Sequence, residues 1–192
     1  MNNETITSYV NKVVKVDRGG KESRVGKLLG CSQDYFVLLT EDDGVVFYQT
    51  HHVKSITQNT KDGIDFSLVI PEDFTFVQGE DFKGLLTNLK HHWVKINRGG
   101  PESLEGILDD VTADFITVIK NEEIISLNMF HIRNVSYGLK LEKPEQKESD
   151  SKDNDKEKAD SKEKSNEKSE GKEKSSEKHE GKEKEKENKE NE

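Results

Sequence analysis

The side chains best suited to chemistry lie in one short motif that occurs twice, 80 positions apart. The motif combines an arginine, two glycines, a carboxylate, a hydroxyl and a further glycine. Its members are Arg18, Gly19, Gly20, Glu22, Ser23 and Gly26 in the first occurrence and Arg98, Gly99, Gly100, Glu102, Ser103 and Gly106 in the second. A nucleophilic serine needs a base, and no His or Lys recurs at a spacing that supplies one. We therefore predict no catalytic residue and no enzymatic activity.

The Arg-Gly-Gly sequence also occurs in RNA-binding segments, but those are multiple, disordered and basic. Here each occurrence is single, is flanked by predicted strands and is followed by a glutamate. Two glycines favour a tight turn, because positive φ is accessible to them. We expect a turn in which the arginine pairs with the nearby Glu22 or Glu102.

Two adjacent histidine pairs, His51-His52 and His91-His92, raise the question of a metal site. Of these four residues only His52 has a counterpart in the second occurrence, His131. Neighbouring residues of a strand point to opposite faces, and no carboxylate or cysteine lies at ligand spacing. We predict structural histidines, no metal and no cofactor. The single cysteine excludes an intrachain disulfide, which is typical of a reducing compartment.

The motif belongs to a longer internal repeat, and each copy is predicted to form a short helix followed by five strands. In the second copy, Phe82, Leu85, Leu86 and Leu89 share one helical face. The strands are expected at 93–96, 104–108, 114–119, 124–127 and 131–137. In the first copy, Ile6, Tyr9 and Val10 predict a shorter helix, and strands are expected at 35–39 and 45–48. A further strand is expected at 66–70 in the connection between the copies, ended by Pro71.

Short strands with a glycine in the second one (Gly26 and Gly106) predict a sharp bend or a close backbone approach. The fold class is therefore mainly β: two tandem small five-stranded barrels of the Sm-like or SH3-like kind, each with an N-terminal helix. The expected boundaries are 1–60, 61–80 and 81–139, followed by a tail at 140–192. Open strand edges are expected to pair with the other copy or with another molecule.

The tail differs sharply from the rest in composition. It holds 16 Lys and 19 acidic residues, whereas the preceding part holds 14 basic and 20 acidic ones, so both parts contribute to the net charge of -9. Since it has almost no apolar side chains, we predict that it is disordered. An acidic body disfavours binding to nucleic acid or to anionic membranes. Serines in the tail are candidates for phosphorylation, namely Ser161, Ser165, Ser169, Ser175 and Ser176. The sequence also shows no secretory signal and no apolar run long enough to span a bilayer.

The segment 93–108 with 130–133, and its first-copy equivalent 18–23 with 51–56, closely resembles the spore coat protein B family of endospore-forming bacilli. The likeness covers roughly residues 5–138, and Lys- and Ser-rich tails also occur in that family. The resemblance implies a structural component of the spore coat, made in the mother cell and deposited on the forespore. It implies other coat proteins and self-association as partners, and no nucleic acid, membrane or small-molecule substrate.

A fold-level likeness to Sm-like barrels supplies the alternative, a tandem Sm-like RNA-binding or adaptor protein. Sm-like RNA binders use an asparagine near the third strand and an Arg-Gly pair before the fifth. Those positions fall on Phe36 and Ile116, and on residues 51–52 and 130–131. The RNA-contacting side chains are therefore missing from the sequence, and the fold alone does not carry the function.

Overall fold

A computed structural model describes residues 3–142 of the chain. The described residues belong to one compact unit. The predicted tail, with its candidate phosphoserines, lies outside the described residues.

Each copy contributes one helix and five strands, as the periodicity predicts. The elements of the first copy are α1 (Asn3–Thr7), β1 (Val13–Val16), β2 (Arg24–Cys31), β3 (Tyr35–Thr40), β4 (Gly44–Gln49) and β5 (Ile56–Thr57). Those of the second copy are α2 (Phe82–Asn88), β6 (Trp93–Ile96), β7 (Leu104–Val111), β8 (Phe115–Lys120), β9 (Glu123–Asn128) and β10 (Asn134–Ser136). Short 3-10 turns, Thr50–His52 and Met129–His131, precede the fifth strands. The last strand is therefore shorter than predicted, and His131 lies outside it.

The strands form one 10-stranded sheet with the order β5-β1-β2-β3-β4-β10-β6-β7-β8-β9. Every pairing in it is antiparallel. The mainly β class is confirmed, but the strands join in one continuous sheet where two tandem five-stranded barrels were predicted. The physical reason lies in β10, which pairs with β6 of its own copy and also with β4 of the first copy. An open β4 edge would expose unpaired N–H and C=O groups, and β10 satisfies them.

The two copies have matching strand registers. Val16 pairs with Ile56 where β1 meets β5, and Ile96 pairs with Val135 where β6 meets β10. Both second strands also carry an irregularity at the same point of the repeat, after Leu28 in β2 and after the equivalent residue of β7.

The glycine in each second strand sits where another backbone passes very close. A Cβ on Gly26 would collide with the carbonyl oxygen of Leu39, and a Cβ on Gly106 would collide with that of Ile119. Only glycine allows the third strand to approach this closely.

The strands β3 and β4 are covered on both faces, and each of their residues is buried from solvent. One face packs into a small core of the first copy that includes Phe36, Leu38 and Tyr48. The other face belongs to a larger core that also contains the apolar side of α2 and the interior of the second copy. The double burial explains why these two strands are almost continuously apolar.

The connecting segment 58–80 forms no strand, so the strand expected at 66–70 is wrong. Both edges of β3 are already taken by β2 and β4, and both edges of β4 by β3 and β10, which leaves no backbone partner there. The segment instead supplies side chains to the larger core: Leu68 is buried, and Phe66, Phe74 and Phe76 pack against the cluster.

Candidate assembly interface at the junction of the copies

The two copies meet where β10 of the second copy lies along β4 of the first. Val135 stands opposite Phe47 in this antiparallel ladder. Beyond the paired strands the backbone contact continues at both ends. The Gln49 N–H donates to the carbonyl of Arg133 at 3.0 Å, and the Val45 N–H donates to that of Leu139 at 2.9 Å. The junction is therefore a strand-to-strand contact within one chain, made by segments far apart in sequence.

One buried carboxylate, that of Asp43, forms an ion pair with an arginine from each copy. Arg24 Nε donates to Asp43 Oδ2 at 2.5 Å, and the guanidinium of Arg98 pairs with the other oxygen of Asp43. Only 10% of the Asp43 side chain is exposed. Arg98 also donates to Ser136 Oγ at 3.0 Å, so it ties β10 to the same cluster. Because the groups are largely shielded from water, their mutual attraction is stronger than that of a surface pair.

A second cross-copy ion pair joins Glu22 to Arg133. The turns around these residues touch, because glycine leaves room for them. A Cβ on Gly99 would collide with the carbonyl of Lys21, and a Cβ on Gly100 would collide with both partners of the ion pair, the carboxylate of Glu22 and the guanidinium of Arg133. The second-copy glycines therefore serve a close approach between the copies.

The predicted pairing of each motif arginine with its own glutamate is wrong. Arg98 reaches Asp43, and Glu22 reaches Arg133. The physical reason is that Arg98 and Glu22 lie at the junction, where oppositely charged groups of the other copy are within reach and better shielded from solvent.

The histidine pair of the first copy also lies at this junction. His52 Nε2 is 2.5 Å from the carbonyl oxygen of Phe130, and the two rings are 5.6 Å apart. Burial lowers the pKa of His52, and electrostatic interaction with His51, Arg133 and His131 acts in the same direction, while the hydrogen bond to Phe130 opposes them. The lowered pKa favours the neutral imidazole, which suits a structural role.

Contrary to the prediction, His51 and His52 do not point to opposite faces of a strand. They lie in a 3-10 turn with their ring centroids 4.1 Å apart. Within residues 3–142 no group of three His, Cys, Asp or Glu side chains is arranged to hold a metal ion. Of the second pair, His92 Nδ1 lies 3.1 Å from the carbonyl oxygen of Lys90, and His91 has φ 67°.

The residue before each motif arginine is Asp17 in the first copy and Asn97 in the second. Its side chain hydrogen-bonds to the backbone of the segment that leads into the fifth strand. Asn97 Oδ1 accepts from the Arg133 N–H at 2.7 Å, and its Nδ2 donates to the His131 carbonyl at 2.9 Å. Asp17 Oδ1 accepts from the Lys54 N–H at 2.9 Å. Both residues have positive φ, 53° and 52°. The sequence analysis missed them, although a short polar side chain that tolerates this conformation stands at both positions.

The remaining motif residues have no comparable contacts. Arg18, Gly19, Gly20, Glu102 and Ser103 are exposed. In the described chain no hydrogen bond joins the hydroxyl of Ser23 or Ser103 to a histidine or lysine, and the Ser23 N–H donates to the Gly20 carbonyl at 3.3 Å. Cys31 is partly buried, with its Sγ 3.2 Å from Thr7 Oγ1.

The chain is similar to spore coat protein B of Bacillus subtilis (strain 168), with 39% identity over 137 residues. The match covers 70% of this chain and 35% of the relative, so the chain matches about a third of that protein's length. No family model matches the sequence. No solved structure matches it either. Among the described helices, none has the length and apolar character required to traverse a bilayer.

Proposed function

We propose, from the premise that the chain belongs to the spore coat protein B family, that it is a structural component of the endospore coat. In this role its two copies form the assembling body and the charged tail supplies hydration and charge. Other coat proteins and further copies of the chain are its partners. The protein performs no reaction.

The observation that best supports this proposal is the junction between the copies. It is built from an edge-strand pairing, two charge clusters and close-packed glycine turns, which are the means by which protein subunits associate. Since the two copies share their strand registers, β5 and β9 are the counterparts of the strands β10 and β4 that meet at the junction. Both lie at the ends of the sheet, where they can contact another molecule.

A fluorescent fusion of the full chain, imaged through sporulation, tests the proposal. We expect the signal to form a shell around the forespore and the protein to remain with the coat fraction after the spores are washed. Signal that stays diffuse in the mother cell would contradict it. RNA retained by the purified protein at low salt and released at high salt would favour the alternative adaptor function.

A further inference from the structure

We propose that a second copy of this chain docks its β5 onto the free edge of β9, repeating between molecules the β10–β4 junction found within one. The inference rests on the proposed coat function and specifies the partner, the two edges and the direction of assembly. Four independent features of the described residues carry it.

The first feature is the pair of strands left at the ends of the sheet. Within residues 3–142, β5 pairs only with β1 and β9 pairs only with β8. By the repeat, β5 is the counterpart of β10, and β9 is the counterpart of β4. Each chain thus has one free edge of each kind, and these are the kinds that already pair at the internal junction.

The register of β10 on β4 within the chain predicts the register of β5 on β9 between two molecules. Val135 lies opposite Phe47 in the chain, so Ile56 of the docking copy should lie opposite Ser126. The Val45 N–H points at the second copy, where it donates to Leu139. The N–H of its counterpart Ile124 should therefore point outward from β9 and be available to the docking copy.

The second feature is the charge at the two free edges. At the internal junction, the first copy supplies the acidic Glu22 and Asp43, and the second copy supplies the basic Arg98 and Arg133. Their counterparts all keep the same sign of charge: Glu102 and Glu122 beside β9, and Arg18 and Lys54 beside β5. These four side chains are exposed and have no ion pair with any residue of the described region.

The third feature is the vacant space around the first-copy glycines. Gly99 and Gly100 are packed against the first copy, whereas nothing lies within 4 Å of a Cβ built on Gly19 or Gly20. The same Arg-Gly-Gly sequence is therefore present twice, but it makes a close approach to another part of the chain only once within the described residues. Docking of β5 on another chain's β9 would bring that turn against residues 101–102, the counterparts of 21–22.

The fourth feature is the apolar surface of the second copy. Trp93, Ile107, Ile119 and Ile124 follow one another across β6, β7, β8 and β9 in register. Trp93 is 53% exposed and Ile124 is 74% exposed, whereas Val45, the counterpart of Ile124, is fully buried. An open groove of about 640 Å³ runs beside this edge and is lined in part by Glu102, Ser126 and Leu127. A neighbour at β9 would cover the end of this stripe and fill the groove.

Because the two edges differ, the contact is heterologous: every chain offers one edge and accepts on the other. Such contacts build rings if the rotation between neighbours closes and filaments if it does not. A contact between two β9 edges would instead stop at a dimer.

Sedimentation velocity on the full chain across a range of concentrations tests the proposal. We expect the wild-type chain to form species larger than dimers. E102R/E122R and R18E/K54E should each weaken association by about tenfold or more, because each reverses the charge of one edge. An equimolar mixture of the two variants should assemble again, since each reversed edge then meets an oppositely reversed one.

The matched control for E102R/E122R is E72R/D73R, which makes the same change of net charge at exposed positions of the connecting segment and should assemble like the wild type. I124P removes the outward N–H without adding charge, and it should also block association while circular dichroism shows an intact fold.

Three results would overturn the proposal: a wild-type chain that stays monomeric at every concentration, an R18E/K54E variant that assembles normally, or a variant mixture that does not recover. Each of these is independent of where the fluorescent fusion localises. A monomeric protein that still reaches the coat would therefore refute the edge pairing and leave the coat function standing.

Discussion

Glu22 and Arg133 form an ion pair although they lie 111 positions apart in the chain. Their partnership shows that the repeated turn motif and the segment before the last strand act together across the junction. The charge of the motif is used between copies, and the following predictions test how much the junction contributes to the fold.

Replacing Asp43 by asparagine should lower the free energy of unfolding by about 2 kcal/mol, because Arg24 and Arg98 would lose a shared and largely buried counter-charge. Urea unfolding followed by circular dichroism measures the change. Asp42→Asn is the matched control, since its side chain is exposed in the same turn. Equal stability of the two variants would show that the Asp43 cluster contributes little.

Gly100→Ala should destabilise the chain by about 1 kcal/mol, because the added methyl would displace the guanidinium of Arg133 from Glu22. Gly19→Ala is the natural comparison, since the methyl there meets open space and φ is not positive. We expect Gly19→Ala to leave stability unchanged or to raise it slightly. If the two variants melt alike, the turn is not under steric constraint at the junction.

Gly26→Ala should cost about 2 kcal/mol or more, because the methyl collides with backbone that cannot rotate away. Gly106→Ala should behave in the same way in the second copy. Gly30, also in β2, has nothing within 4 Å of a built Cβ, so Gly30→Ala serves as the control. Thermal unfolding of all three variants gives the comparison, and a tolerated alanine at position 26 would contradict the close strand approach.

The stability of the junction should depend on pH through His52. Its pKa lies below the ordinary 6.5 in the folded chain because of burial and of the neighbouring His51, Arg133 and His131. The unfolded chain then binds more protons in the acidic range, so stability is full above about pH 6.5 and falls as the pH drops toward the folded pKa.

His52→Gln should remove part of this acid sensitivity. Urea midpoints measured between pH 8 and pH 5 for both proteins test the prediction, with His91→Gln as a control at an exposed histidine. A His52→Gln variant with the full wild-type slope would assign the acid sensitivity to other groups.

The local structure was largely predictable, because each element has a pattern of its own. The spacing of Phe82, Leu85 and Leu86 predicts a helix, and the structure has one over Phe82–Asn88. The strand prediction 93–96 agrees with Trp93–Ile96. Hydrophobic period is a property of neighbouring residues, and it is therefore readable without knowledge of the tertiary fold.

The joining of the copies was not predictable in the same way. Strands pair through backbone groups that are the same in nearly every residue, so a free edge does not identify its partner. The sequence therefore left open whether β4 would pair with the other copy or with another molecule. One signal was present: Phe47 of β4 is apolar, whereas its counterpart in β9 is the polar Ser126. That difference marks a covered face in the first copy and an uncovered one in the second.

The position of β10, clamped between β4 and β6 with all three of its residues buried, has a consequence for how the body resists damage. Opening either half would leave an edge of β4 or β10 unpaired, so the duplicated body should denature in a single cooperative step. A protease cut just before this strand should therefore destabilise both copies, although the strand has only three residues.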